Sequence, residues 1–305
     1  MTWHVLGAGS LGCLWASRLQ LAGHQVRLIL RPSRLAQFSS AGSNILFTDL
    51  QQQQHRLALH AETACAGLPI QRLVLACKAY SAAEAITGIR HRLRPGSQII
   101  LLQNGIGCQQ QVHELLPNHP VLVASTTEGA WLKEAFHCIH AGQGQTLLGR
   151  LRGQEPVPAW LGQLDRSGIS CQWHPHIDSV LWRKLAINCL INPSTVIHGC
   201  RNGGLLQHLP LLQQLSAELE QLLLAAGHAD AAANLFSAAR HVITGTATNT
   251  SSMLQDVQHG RRTEISYITG FALQQSIALG TPHQQLLAVH QALQSRLAQL
   301  GLPTD

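Results

Sequence analysis

One hexapeptide near the start restricts the architecture of this chain more than any other stretch. Gly7-Ala8-Gly9-Ser10-Leu11-Gly12 follows a short apolar run at residues 3–6 and leads into a helical pattern that lasts to about Ala22. Gly23-His24 closes that helix, and residues 26–30 read as a second strand. A strand, a glycine turn, a helix and a strand in this order give the G-x-G-x-x-G spacing a physical meaning. The first glycine permits a tight turn, the second lets backbone approach a pyrophosphate, and the third lets the helix pack against the strand. The helix N-terminus then presents its unpaired N–H groups to phosphate. Residues 7 to 12 are therefore expected to cradle a dinucleotide.

The end of the second strand selects between dinucleotides. An NAD site places Asp or Glu there, to accept from the ribose 2′-hydroxyl. This chain has Arg31, with Arg34 close behind and no acid nearby. A guanidinium suits a 2′-phosphate, so the expected cofactor is NADPH/NADP+.

Further along, residues 45–61 read as a hairpin with the glutamines at 51–54 in its turn. Residues 73–77 form a buried strand that ends at Lys78, and residues 99–102 form another that ends at Gln103-Asn104-Gly105. Lys78 and Asn104 therefore lie where open α/β sheets bind their ligands. A strand at 121–124 runs into Ser125-Thr126-Thr127-Glu128, and residues 136–149 read as a hairpin turning at Gly142-Gln143-Gly144. Composition breaks at 151–158; a short helix (159–166) and a strand (169–173) complete the first domain. Long helical patterns follow at 178–192, 209–227, 230–245, 265–280 and 283–300. The expected fold is an α/β Rossmann-type dinucleotide-binding domain at 1–174 followed by an all-α helical domain at 175–305.

At 305 residues and 45% hydrophobic, the chain can bury two cores. A net charge of +6 without a Lys/Arg block excludes a nucleic-acid partner and fits an anionic small ligand. The eight cysteines stand singly, with no CxxC pair, as free thiols do in a reducing compartment. His137-Cys138-Ile139-His140 lacks a second ligand pair of zinc spacing, so no metal is expected. No apolar run reaches the length of a membrane span, and the N-terminus lacks a basic n-region. A soluble, cytoplasmic protein without a membrane partner is expected, either monomer or homodimer.

The helical half carries one unusual stretch, Trp182-Arg-Lys-Leu-Ala-Ile-Asn-Cys-Leu-Ile-Asn-Pro-Ser-Thr195. A helix is expected to stop near Pro193, since the residue before a proline is pushed out of helical geometry. Lys184, Asn188 and Asn192 stand at i, i+4 and i+8 and drift only about 80° around the axis. One ammonium and two amides in line on an otherwise apolar helix suggest the polar wall of a cavity, or a partly buried helix with locally satisfied polar groups. Thr263 could cap a helix with Glu264 in its first turn, a wholly structural role. Ser251 or Ser252 would ordinarily be a cap as well.

These segments together resemble the 2-dehydropantoate 2-reductase (ketopantoate reductase) family. The resemblance rests on the glycine motif, Lys78, Gln103-Asn-Gly105, residues 182–195, Arg201-Asn-Gly203, Ser251-Ser-Met-Leu-Gln-Asp256 and Thr263-Glu-Ile265, in the same order over nearly the full length. It implies NADPH-dependent reduction of 2-dehydropantoate to (R)-pantoate, on the route to pantothenate and coenzyme A, in a cleft between a Rossmann and a helical domain. It implies that Lys184 is the catalytic lysine and general acid, and Glu264 the active-site carboxylate. It further implies substrate contacts at Asn188, Asn192, Asn202 and Ser252, and cofactor contacts at Arg31, Lys78 and Asn104. Gln103 and Thr127-Glu128-Gly129 depart from the family pattern and read as neutral. Two alternatives stand beside this: a related NADP-dependent reductase of another 2-oxo acid, and a non-catalytic NADP(H)-sensing regulator.

Overall fold

The structure, a computed structural model, describes residues 2–151 and 157–305. Residues 152–156, inside the composition break, lie outside the described residues. The chain divides into two compact units: Met1–Gln103 with Cys108–Ile177, and Asn104–Gly107 with Asp178–Asp305.

The first unit is of the Rossmann α/β type. Its eight-stranded sheet has the order Cys171–Trp173, Thr146–Gly149, Val121–Thr126, Leu93–Leu101, Ile70–Leu75, Thr2–Leu6, Gln25–Ile29, His60–Glu62. Every neighbouring pair is parallel except Val121–Thr126 with Thr146–Gly149. The central strands are continuous apolar runs because both faces are covered; Leu73, Val74, Leu75, Ile99, Ile100 and Leu122 are all fully buried. Trp3 meets Trp160 edge-on at 5.3 Å within this core. The strand order reverses between Thr2–Leu6 and Ile70–Leu75, which makes the carboxyl ends of these strands the ligand-binding crevice of such a sheet.

A second sheet of four strands has the order Gln54–Ala58, Asn44–Thr48, His137–Gly142, Gly129–Glu134. Its first two strands form the hairpin expected at 45–61, with Gln52 at φ +64° in the turn. The hairpin expected at 136–149 does not form. His137–Gly142 pairs with Gly129–Glu134 and Asn44–Thr48 in the small sheet, while Thr146–Gly149 pairs in the large one. Gly144 makes the crossing possible, since a Cβ there would lie 2.3 Å from the Thr127 carbonyl carbon. The real hairpin turns at Phe136, with φ +62°. Strand pairing is a non-local choice that a glycine-bounded apolar run does not reveal.

The described elements of the second unit are all helical, as expected. Its centre is Ile177–His198, a helix of 22 residues with Pro193 inside it. The stop expected near Pro193 is therefore wrong. Proline removes the bond to the carbonyl four residues back, that of Cys189, and two neighbouring hydroxyls add bonds of their own to other carbonyls of this stretch. Ser194 Oγ donates to the Leu190 carbonyl at 2.7 Å, and Thr195 Oγ1 to the Asn192 carbonyl at 2.8 Å. Residues 189–196 are buried without interruption, so packing outweighs local propensity. The helix expected at 230–245 is broken into Ala229–Ala232 and Leu235–Gly245 by Asn234 at φ +54°. The one expected at 265–280 begins as a 3-10 turn, Ile265–Tyr267, before Thr269–Ala278. Leu209–Ala225 contributes Glu218, whose carboxylate accepts from the Gln285 and Leu286 amides at 2.9 Å and so caps the helix Gln284–Gln299 from outside it.

Candidate active site

The glycine cradle is built on the first unit. Gly7 adopts φ +102°, and a Cβ there would lie 2.9 Å from the Cys77 amide nitrogen. A Cβ on Gly12 would lie 1.9 Å from the Gly7 carbonyl oxygen and 3.2 Å from Ala76 Cβ. Gly12 is thus demanded mainly by the turn itself and secondarily by the strand end. Gly9 differs: its backbone is extended (φ −82°, ψ −171°), and a Cβ would meet nothing nearer than 3.9 Å. Neither backbone strain nor crowding requires a glycine at 9, so the backbone there is open to close approach by a ligand. The helix Ser10–Leu21 that follows has no side-chain cap and no acid in its first turn. Its N-terminus retains the favourable field for an anion. A pyrophosphate therefore fits the cradle formed by residues 7 to 12.

Arg31 and Lys78 follow the two strands that flank Thr2–Leu6. Arg31 is exposed at the start of the helix Pro32–Ser40, held extended by the proline after it. Its Nη2 donates to Ser81 Oγ at 3.4 Å. Arg34 is half-buried with its guanidinium 4.3 Å from the centre of the Phe136 ring. Lys78 is half-buried, and its carbonyl accepts from the Ser81 amide. Gln103, read as neutral from the sequence, is buried, and its Nε2 donates to the carbonyls of Leu75 and Cys77 at 2.9 and 3.1 Å. It clamps the turn that precedes Lys78.

Glu128 is the larger surprise. Its side chain is buried, with Arg18 Nη1 at 3.3 Å and His140 Nε2 at 2.8 Å. Arg18 also donates to the Gly168 carbonyl and reaches His140 Nδ1 at 3.2 Å. Arg18 belongs to the helix Ser10–Leu21, so this triad ties the glycine-loop helix to the strands at 121–142. The histidines of the His-Cys-Ile-His stretch are thereby accounted for: His140 faces Glu128, and His137 Nε2 lies 3.1 Å from Thr48 Oγ1. The partners of Glu128 lie 110 and 12 residues away, so no local pattern in the sequence marks its role.

The second unit holds the other candidates. Lys184 is partly buried on Ile177–His198; Asn188 is partly buried and Asn192 buried on the same helix. The residues between them, Leu185, Ala186, Cys189, Leu190 and Ile191, belong to the apolar core of this unit. Burial pushes the Lys184 ammonium down from 10.5 to about 8, against the opposing pull of the Glu264 carboxylate. Glu264 is 5% exposed. It precedes the 3-10 turn Ile265–Tyr267 but makes no side-chain cap there, and the buried Thr263 Oγ1 has no partner. The capping role open to Thr263 and Glu264 is thus not what the structure contains. A lysine and a carboxylate 80 residues apart in sequence instead share one electrostatic environment.

Ser251, not Ser252, is the cap of the helix Ser252–Gln258: its Oγ accepts from the Leu254 amide at 3.1 Å. Ser252 is exposed in the first turn. Asn202 is buried at the start of the 3-10 stretch Asn202–His208; its Nδ2 donates to Thr246 Oγ1 at 2.8 Å, and its Oδ1 is buried without a partner. Asn104 is partly buried in the short excursion Asn104–Gly107, which belongs to this unit. The excursion is fixed by Gly105: φ is +79°, a Cβ would lie 2.3 Å from the Tyr267 carbonyl oxygen, and the next amide, of Ile106, donates to that oxygen.

Residues 3–153 match the family model for ketopantoate reductase PanE/ApbA, and residues 176–297 match the model for its C-terminal part. A 2-dehydropantoate 2-reductase of Vibrio cholerae is 32% identical over 302 residues, covering 97% of this chain and 96% of that protein. Among solved structures, a PanE/ApbA family ketopantoate reductase from Ralstonia eutropha superposes with a TM-score of 0.88 at 20% identity, covering 99% of this chain and all of that one. A D-mandelate dehydrogenase with NADH and anilino(oxo)acetate gives a TM-score of 0.88 at 17% identity over the same share of both chains. At these identities the two structures bear on the fold alone.

Proposed function

Because the chain belongs to the ketopantoate reductase PanE/ApbA family of dinucleotide-dependent oxidoreductases, we propose that it reduces 2-dehydropantoate to (R)-pantoate with NADPH. The observation that carries this is the full-length family match, within which Lys184 lies in the field of buried Glu264. Bound NADPH would supply the hydride that reduces the 2-oxo carbon. Residues 7 to 12 hold its pyrophosphate, Arg31 its 2′-phosphate, and Lys78 and Asn104 border it. Lys184 faces the charge that develops on the substrate oxygen and donates the proton that makes it a hydroxyl. Glu264 keeps that ammonium charged in a site where burial works against it. Asn188, Asn192, Asn202 and Ser252 offer neutral donors and acceptors to the substrate's carboxylate and hydroxyl. No helix among the described residues is long and apolar enough to cross a membrane, and a cytoplasmic setting fits the route to coenzyme A.

The test follows NADPH absorbance with 2-dehydropantoate and with other 2-oxo acids. Preferential oxidation with 2-dehydropantoate is expected. A preference for an aryl 2-oxo acid would transfer the assignment to a related reductase, and no oxidation with any substrate would leave a dinucleotide-binding regulator.

Two dependent outcomes follow. With Lys184 titrating at about 8, the general acid is charged below that pH and lost above it. kcat/KM should be flat on the acid side of pH 8 and fall about tenfold per unit beyond it. Glu264→Gln removes the attraction that raises this value, so the alkaline limb should move to lower pH; an unmoved limb would contradict the coupling. Arg31→Ala should raise KM for NADPH roughly ten- to hundredfold, the worth of a charge-assisted contact, and leave KM for NADH little changed. Equal weakening of both cofactors would remove Arg31 from the 2′-phosphate.

A further inference from the structure

Two hydroxyls outside the set of substrate and cofactor contacts join the lysine helix to the segment that carries Ser252. Thr195 and Ser251 are buried, at 0% and 6% exposure, and their oxygens lie 2.6 Å apart. Thr195 Oγ1 also lies 2.8 Å from the Asn192 carbonyl, and Ser251 Oγ accepts from the Leu254 amide. A hydroxyl has a single proton. The Asn192 carbonyl can only accept, so Thr195 donates to it; Ser251 must then donate to Thr195, and the Leu254 amide donates to Ser251. The chain Leu254 N–H, Ser251 O–H, Thr195 O–H, Asn192 C=O thus has one direction, with both hydroxyls donating and accepting.

One end of this chain is a candidate substrate residue, and another candidate stands next to an interior member. Asn192 supplies the terminal carbonyl, and Ser252 directly follows Ser251 at the start of the short helix Ser252–Gln258. That helix has seven residues, too few to hold its own position without tertiary contacts.

We propose that Thr195 and Ser251 are positioning residues that set the separation of Asn192 and Ser252, and thereby the fit of the 2-oxo acid between them. This rests on the functional reading above. The experiment compares Thr195→Val, which keeps the shape and removes the hydroxyl, with Thr195→Ser, which restores it. Thr195→Val should raise KM for the 2-oxo acid about five- to tenfold, the worth of one ordinary hydrogen bond, with kcat and KM for NADPH little changed. Thr195→Ser should recover the wild-type KM. Hydrogen exchange at the Leu254 amide and through residues 252–258 should quicken in the valine variant and not in the serine variant. Should Thr195→Val fail to fold, Ser251→Ala opens the same joint from its other side and is read in the same way. Unchanged KM in a folded variant overturns the proposal, even where exchange quickens, since that is a merely structural joint. If the wild type turns over no 2-oxo acid, the functional reading fails by itself, and exchange decides the joint: unaltered protection at Leu254 overturns it.

Discussion

Lys184→Ala is expected to lower kcat about 10²- to 10³-fold, the usual cost of losing one donor aimed at a developing oxyanion. NADPH binding, followed by fluorescence titration, should be nearly unchanged, because the glycine cradle and Arg31 belong to the other unit. Lys184→Arg separates the two duties of the ammonium. A guanidinium keeps its charge throughout the accessible pH range, so part of the oxyanion stabilisation should survive while the alkaline limb near pH 8 disappears. The loss has to appear in turnover and not in stability, so melting temperature is recorded for each variant. A folded Lys184→Ala protein with near-normal kcat would rule out the assigned role.

The second large effect belongs to a residue with no assigned contact to ligand. Glu128→Ala strands Arg18 and His140, whose side chains are 13% and 1% exposed, beside an empty acceptor position. Breaking a buried ion pair from one side costs about 3–5 kcal/mol. The urea midpoint of the first unit should fall accordingly, read from the fluorescence of Trp3, Trp15 and Trp160, all buried in its core. Glu128→Gln keeps an acceptor for His140 and should lose less. Since Arg18 sits on the helix that opens with the glycine cradle, KM for NADPH should rise in the alanine variant. A midpoint within error of wild type would show the triad to be energetically idle.

The legibility of the chain follows the range of the interactions involved. The glycine turn, its strands and its helix were readable because each residue's reason lies within a few positions, as with Gly12 against the Gly7 carbonyl. The apolar flanks of the Lys184 helix were readable as core for the same reason. Whether Ser251 or Ser252 caps was not, because both suit the position, and only the fold brings Ser251 Oγ against the Leu254 amide and Thr195. Glu128 passed as neutral because its partners lie 110 and 12 residues away. The strands at 137–142 and 146–149 were merged because a turn of glycines gives no hint that the chain changes sheet there.

By itself, then, the amino-acid order determined a dinucleotide-type α/β unit followed by a helical one, and a polar stripe of Lys184, Asn188 and Asn192 on an apolar helix. Local sterics and periodicity suffice for these. Tertiary structure alone decided that this helix runs on through Pro193, where continuous burial of residues 189–196 outweighs a missing N–H. It alone decided that Asn104–Gly107 joins the helical unit, since Gly105 has to lie against the Tyr267 carbonyl. It also turned Glu264 from a helix cap into the neighbour of Lys184, because the field of a buried carboxylate acts through space and not along the chain.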